Sequence, residues 1–180
     1  MEVTPLLQRN RETILGKWFD LIIGTYPRAS SEFLARQQDQ FRNPIGHTIT
    51  QSIAAIYDQV ASAMDTDQLL RALDGIIRMR SVQEFTASEA VQFIFQLKTV
   101  LRDVMAAQLR EPENSHLLAD LESRIDQVAL LAFEKYMECR EKLHQLRNNE
   151  LKSGIMKPAE RRNLRAAGSR PERGPIHEDV

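Results

Sequence analysis

Cysteine is nearly absent from this 180-residue chain: the lone Cys139 can form no internal disulfide, and no CxxC or CxxCH spacing exists to ligate a cluster or attach haem. A reducing compartment suits such a chain. Glycine and proline are scarce, at seven residues each, which leaves few of the breaks that strand-rich and loop-rich folds require. A long apolar run near the N-terminus is missing as well, because Arg11, Glu12, Lys17 and Asp20 interrupt the first apolar stretch, so neither a signal peptide nor a membrane span is read there and a cytoplasmic protein is expected. Charge of one sign is also lacking. The net charge is −1, with a mildly acidic body and a mildly basic tail in which residues 151–180 carry seven Lys/Arg against four Asp/Glu. Neither imbalance forms the concentrated positive face of a nucleic-acid binder, so no nucleic-acid partner is expected.

Apolar residues make up 42% and charged residues 27%, the mixture of a soluble globular protein, and the length suits one domain with a single core. The apolar residues recur at helical spacing almost throughout. Leu7, Ile14, Leu15, Trp18, Leu21 and Ile22 share one face of a first helix that Gly24 and Pro27 stop. A short helical turn over 30–36 and a polar run at Gln37–Gln40 follow. Asn43 then caps a helix beginning at Pro44, whose stripe is Ile45, Ile49, Ile53, Ile56, Val60 and Met64. Asp65-Thr66-Asp67 ends that helix and starts another, with Leu69, Leu73, Ile76 and Ile77 on its face. Thr86-Ala87-Ser88-Glu89 has the form of a capping box and opens the most apolar helix of the chain, in which Phe93 and Phe95 are expected to fill the core with Trp18 and Phe133.

After a break at Glu111-Pro112-Glu113-Asn114, Ser115 opens a heptad-like seam of Leu118, Leu121, Ile125, Val128, Ala132, Tyr136, Cys139, Leu143 and Leu146. A helix continuous over 115–151 would span about 55 Å at about 1.5 Å per residue and project beyond a compact body. The sequence therefore predicts an all-α bundle of about five main helices over residues 1–151, and a flexible basic tail over 152–180. Tyr136, Cys139, Leu143 and Leu146 are the expected interface of a homodimer formed through that last helix.

Three stretches in combination resemble the N-terminal domain family of the RsbRD-type RsbT co-antagonists. They are Trp18 with Thr25-Tyr26-Pro27; Phe41-Arg42-Asn43-Pro44-Ile45-Gly46; and the run from Ile76 through Met79-Arg80-Ser81 and Phe85-Thr86 to Val91. The resemblance covers about residues 6–110. It implies a sensory or regulatory module of a stress response, with a globin-like helical arrangement that needs no haem. In RsbR-type proteins such a domain dimerises and precedes a helical linker and an anti-sigma-antagonist (STAS) domain, within an assembly, the stressosome, that captures a switch kinase. The short stretch after the last helix is far below the length of a STAS domain, so the chain is expected to act as the sensor half alone, toward an unidentified regulatory partner.

The residues themselves point to little chemistry. No HExxH, GxGxxG or GxxxxGK[ST] occurs, no serine or cysteine stands in a nucleophile motif, and His47, His116, His144 and His177 form no i,i+4 pair, so neither an enzyme nor a metal site is expected. His47 is the candidate for a haem-ligating or pocket-lining residue, set against the capping, core and surface roles that ordinarily occupy a lone histidine. No cofactor is expected on that balance. Arg42, Asn43, Arg78 and Arg80 are candidates for an anion site if the three arginines converge, because Asn43 opens a helix N-terminus whose amides favour negative charge, with ion pairing to Asp39, Asp74 or Glu84 as the ordinary alternative. The rival to a regulatory interaction module is a globin-like small-ligand or haem sensor whose pocket lies between the helix starting at Pro44 and the helix after Thr86.

Overall fold

Three of the helix starts are built from side chains within one turn of the helices they cap. The computed structural model, which describes residues 3–36, 41–83, 85–108 and 115–167, places six helices and no strand among those residues. They are α1 (Val3–Ile23), α2 (Arg28–Arg36), α3 (Pro44–Val60), α4 (Thr66–Val82), α5 (Ala87–Val104) and α6 (Ser115–Ala167). Asn43 accepts from the Gly46 amide at 2.8 Å with Pro44 in the first turn, Asp65 accepts from the amides of Asp67 and Gln68, and Thr86 and Glu89 satisfy each other's backbone donors in a capping box. The all-α class and the five main helices agree with the sequence. The short turn expected over 30–36 is a nine-residue helix, α2, which begins directly after Pro27. The expected polar run over 37–40 and the break over 111–114 lie outside the described residues.

Contacts divide the chain into residues 1–140 and residues 141–180. In the first unit the core lies among α1, α3, α4, α5 and the first part of α6, and the predicted stripes supply it: Ile49, Ile53 and Ile56 from α3 and Leu69, Leu73, Ile76 and Ile77 from α4 are all essentially buried. Trp18 is fully buried, stacks on Phe93 at 6.2 Å between ring centroids, and donates its indole N–H to the Phe93 carbonyl at 2.6 Å. Tyr57 likewise donates to the Leu7 carbonyl at 2.8 Å. Each bond satisfies the one polar atom of a large buried ring, as burial of such groups requires.

Two expected core residues are not in the core: Phe95 and Phe133 are each 45% exposed. Both stand on helices whose opposite faces already meet the core, so periodicity alone placed them inside. The α6 seam is inside this unit from Leu121 on, with Leu121, Ile125, Val128, Ala132 and Tyr136 buried, whereas at its start Leu117 is buried and the expected Leu118 only half-buried. Polar contacts fix it laterally. Lys98–Asp126 and Arg102–Glu122, each at 2.7 Å, tie it to α5, Lys135–Asp74 at 3.1 Å ties it to α4, and Arg124 donates to the Val60 and Ser62 carbonyls at the end of α3.

In the second unit, the described part is helical through Ala167, with exposed Leu146 and Leu151 and a Gln145–Glu141 hydrogen bond one turn apart. The helix thus continues past the end expected near Leu151. Good helix formers such as Ala159, Glu160, Arg161, Arg162, Leu164 and Arg165 favour that extension, whereas Gly154 and Pro158 within it oppose it. The remainder of the expected tail, residues 168–180, lies outside the described residues.

Candidate functional site

The turn after α1, the last turns of α4 and the start of α5 meet around one side chain. Arg80 projects inward from α4 and, after Trp18, is the largest fully buried side chain described. Its Nη1 donates to the Glu89 carbonyl at 2.9 Å and its Nη2 to the Thr25 hydroxyl at 3.2 Å. The Thr86 capping box holds the first turn of α5 in the position that offers that carbonyl, and Thr25 is itself tied back to the Ile22 carbonyl at 2.7 Å. Three rings surround the guanidinium: Phe85 at 4.8 Å, Phe93 at 5.2 Å and Tyr26 at 5.7 Å to the ring centroids. Tyr26 and Phe85 meet edge to face at 5.6 Å.

No carboxylate pairs with Arg80 among the described residues, and its buried Nε has no hydrogen-bond partner. Desolvation pushes its pKa below the usual guanidinium value while the neighbouring Tyr26 opposes that shift; the same burial pushes the Tyr26 phenol up. The group remains a cation, because arginine does not deprotonate in proteins. Face-on contact with rings is worth about 2 kcal/mol when desolvated, whereas the effective cost of burying an ion is several kcal/mol, so the cage offsets only part of it.

Tyr26 is also a wall of an open cleft of about 410 Å³, bounded by Phe33 and Leu34 of α2, Asn43 and Ile45 at the start of α3, and Gln83 after α4. Asn43 is almost fully buried there, and besides capping α3 it donates its Nδ2 to the Leu34 carbonyl at 3.0 Å, fastening α2 to α3. The cap explains Gly46. A Cβ at that position would stand 2.2 Å from the Asn43 Nδ2, so only glycine leaves room for the capping side chain. Thr25-Tyr26, Asn43-Pro44-Ile45-Gly46 and the Arg80-to-Glu89 stretch, distant in sequence, thus gather at one end of the bundle.

The predicted anion site does not assemble as expected. Arg78 is 67% exposed and pairs with Asp74 at 2.9 Å, one turn away on the same helix; Arg42 is exposed; only Arg80 is buried. Residues two apart on a helix point about 200° apart, so Arg78 and Arg80 cannot share a site. His47 is half-buried and lines a different cleft, of about 600 Å³, with Leu15 and Phe19 of α1 and Ile53 of α3. That cleft lies between α1 and α3, not between α3 and α5 as the ligand-sensor reading required. No group of three or more His, Cys, Asp or Glu able to hold a metal ion occurs among the described residues.

The expected interface also needs correction. Tyr136 and Cys139 are buried inside the first unit, and the Tyr136 hydroxyl donates to the Phe85 carbonyl at 2.5 Å, so neither side chain is offered to a second copy. Leu143 is half-buried and Leu146 exposed. What sequence reasoning missed is a second apolar stripe on α6, Leu130, Phe133 and Met137, exposed by 68%, 45% and 50%. Its spacing of 3 and 4 was the available signal. The antiparallel register set by Lys98–Asp126 and Arg102–Glu122 carries Phe95 of α5 to the same level of α6.

No curated protein and no solved structure matches the chain. A family model does, over residues 12–151, a stretch that takes in the Trp18 core, the Arg80 cage, the cleft and the first part of α6. The residues that converge at the cage and the cleft are those that carried the sequence resemblance, and with most of the chain inside the match, it belongs to the RsbT co-antagonist protein rsbRD N-terminal domain family.

Proposed function

We propose that this chain is a non-enzymatic regulatory module of the cytoplasm that signals by protein association, beginning with its own homodimer. The observation that carries this reading is the stripe of Leu130, Phe133 and Met137 on α6, with Phe95 of α5 at the same level, four large apolar side chains left about half or more in water; the other exposed large apolar residues of this unit, Leu21, Phe33, Phe41 and Val82, lie on other elements. Single exposed apolar residues are ordinary, but a cluster of large ones marks an interaction surface. A twofold axis through such a stripe would bury it against its own copy, and twofold dimers are the commonest closed assemblies. Family membership supports a regulatory protein as the further partner. No helix among the described residues is long and apolar enough to cross a membrane.

Sedimentation and light scattering of the full chain test the reading. The wild type is expected to be a dimer, a Leu130→Glu, Phe133→Glu double variant a monomer of unchanged helicity, and a Leu143→Glu, Leu146→Glu variant still a dimer. A wild type that stays monomeric at high concentration removes self-association altogether. Loss of the dimer only in the second variant moves the contact to the distal seam and removes this face from it.

A further inference from the structure

The cleft beside Tyr26 and the cation behind it have opposite deficiencies. The cleft is mainly apolar, walled by Tyr26, Phe33, Leu34 and Ile45, and none of the described residues that line it is acidic. Arg80 is not among the residues that line the cleft; its guanidinium lies over the Tyr26 ring, 5.7 Å from the centroid, with a free Nε–H, neutral oxygens for its other bonds and no carboxylate partner among the described residues. The Tyr26 hydroxyl reaches the exposed Gln83 side chain at 3.2 Å and also interacts with the Arg80 guanidinium, while its ring meets Phe85 edge to face.

We propose that this cleft binds a small alkyl carboxylate, its tail on Phe33, Leu34 and Ile45 and its carboxylate on the Nε edge of Arg80, reached when the Tyr26 ring swings aside. The occupant follows from complementarity. A buried cation short of a counter-ion gains most from an anion, and guanidinium takes a carboxylate in a two-bond fork, while the apolar walls demand an apolar tail. The volume of about 410 Å³ falls within the range of about 300–1,000 Å³ typical of small-ligand sites. The downward push on the Arg80 pKa runs the same way, since it records a charge that its surroundings under-compensate. Arg80 also joins α1, α4 and α5 through Thr25 and Glu89, so a ligand on it touches the contacts between three helices.

The protein carries its own probe. Trp18, the sole tryptophan, stacks on Phe93, which in turn faces the Arg80 guanidinium at 5.2 Å. Titration of the full chain with sodium octanoate is expected to give a saturable change in Trp18 fluorescence and a rise in Tm, neither of which octanol produces. Arg80→Lys should weaken octanoate by about tenfold or more, because a point charge replaces the fork. Ala29→Phe, on the outer wall of the cleft and away from the cage, should abolish binding with helicity unchanged, and it carries the test should Arg80→Lys fail to fold. No saturable response to octanoate, an equal response to octanol, or wild-type binding by folded Ala29→Phe each overturns the proposal. None of these results bears on dimerisation, which is read separately.

Discussion

Helix α6 has two apolar faces within residues 115–140, and the fold treats them differently. Leu121, Ile125, Val128, Ala132 and Tyr136 are buried, while Leu130, Phe133 and Met137, on the opposite side of the same turns, stand about half in water. Both rows have helical spacing and comparable side chains. What separates them is their surroundings: the inward row is bracketed by Arg124 on the end of α3, Lys135 on Asp74 of α4 and Tyr136 on the Phe85 carbonyl, each of which turns that face toward the core. Apolar periodicity therefore identifies faces that want cover, whereas directional polar contacts decide which one obtains it inside the chain. The row left over is the one available to another molecule.

The contrast is broken most directly by truncation. Ile125→Ala is expected to destabilise the fold by about 2 to 5 kcal/mol, through lost transfer energy and a residual cavity, while Leu130→Ala stays within about 0.5 kcal/mol. Denaturant unfolding at concentrations where the chain is monomeric checks both. Equal losses would mean that the two faces are equivalent.

A smaller effect sharpens the role of the polar brackets. Tyr136→Phe keeps the ring and removes the donor to the Phe85 carbonyl, which should cost about 1 kcal/mol by the same measurement. No loss would show that the row is oriented by apolar packing alone.

The smallest expected effect concerns Asp74, which joins α4 to α6. Burial raises its pKa, but hydrogen bonds from Lys135 and Arg78 outweigh that, and the net value lies below the ordinary carboxylate range. A depressed carboxylate contributes stability that is fully present above its unfolded pKa of about 4 and is lost as pH falls through the lower folded value. The wild type should therefore lose more stability than Asp74→Asn between pH 6 and pH 3, by at most about 1 kcal/mol because the pair is partly exposed. Asp65 and Glu89, also held low by capping hydrogen bonds, are common to both proteins and cancel in the comparison. Identical acid curves would remove Asp74 from the forces that hold α6.

Much of the fold was legible because it is local. The starts of α3, α4 and α5 were readable from Asn43, Asp65 and Thr86, since each cap reaches its donors within three residues. The candidate site was legible only in fragments. Thr25-Tyr26, Asn43-Pro44-Ile45-Gly46 and Arg80 were each visible as parts of the family pattern, yet the step from those words to a cage and a cleft required knowing that Thr25 meets Arg80, 55 positions away. Tyr136 was misplaced for the same reason, because its hydroxyl is answered by a carbonyl 51 residues earlier.

By itself, then, the amino-acid order determined the helical class, the capped starts and the apolar stripes, because backbone preference, capping and the 3.6-residue period act over four residues or fewer. Only the tertiary structure decided that Arg80 is a caged cation while Arg78, two residues before it, is a solvated partner of Asp74, and that one apolar row of α6 is covered while the other is not. Burial and charge compensation depend on which distant segments arrive beside a residue, and two arginines or two leucine rows that look alike along the chain differ in free energy only once those neighbours are in place.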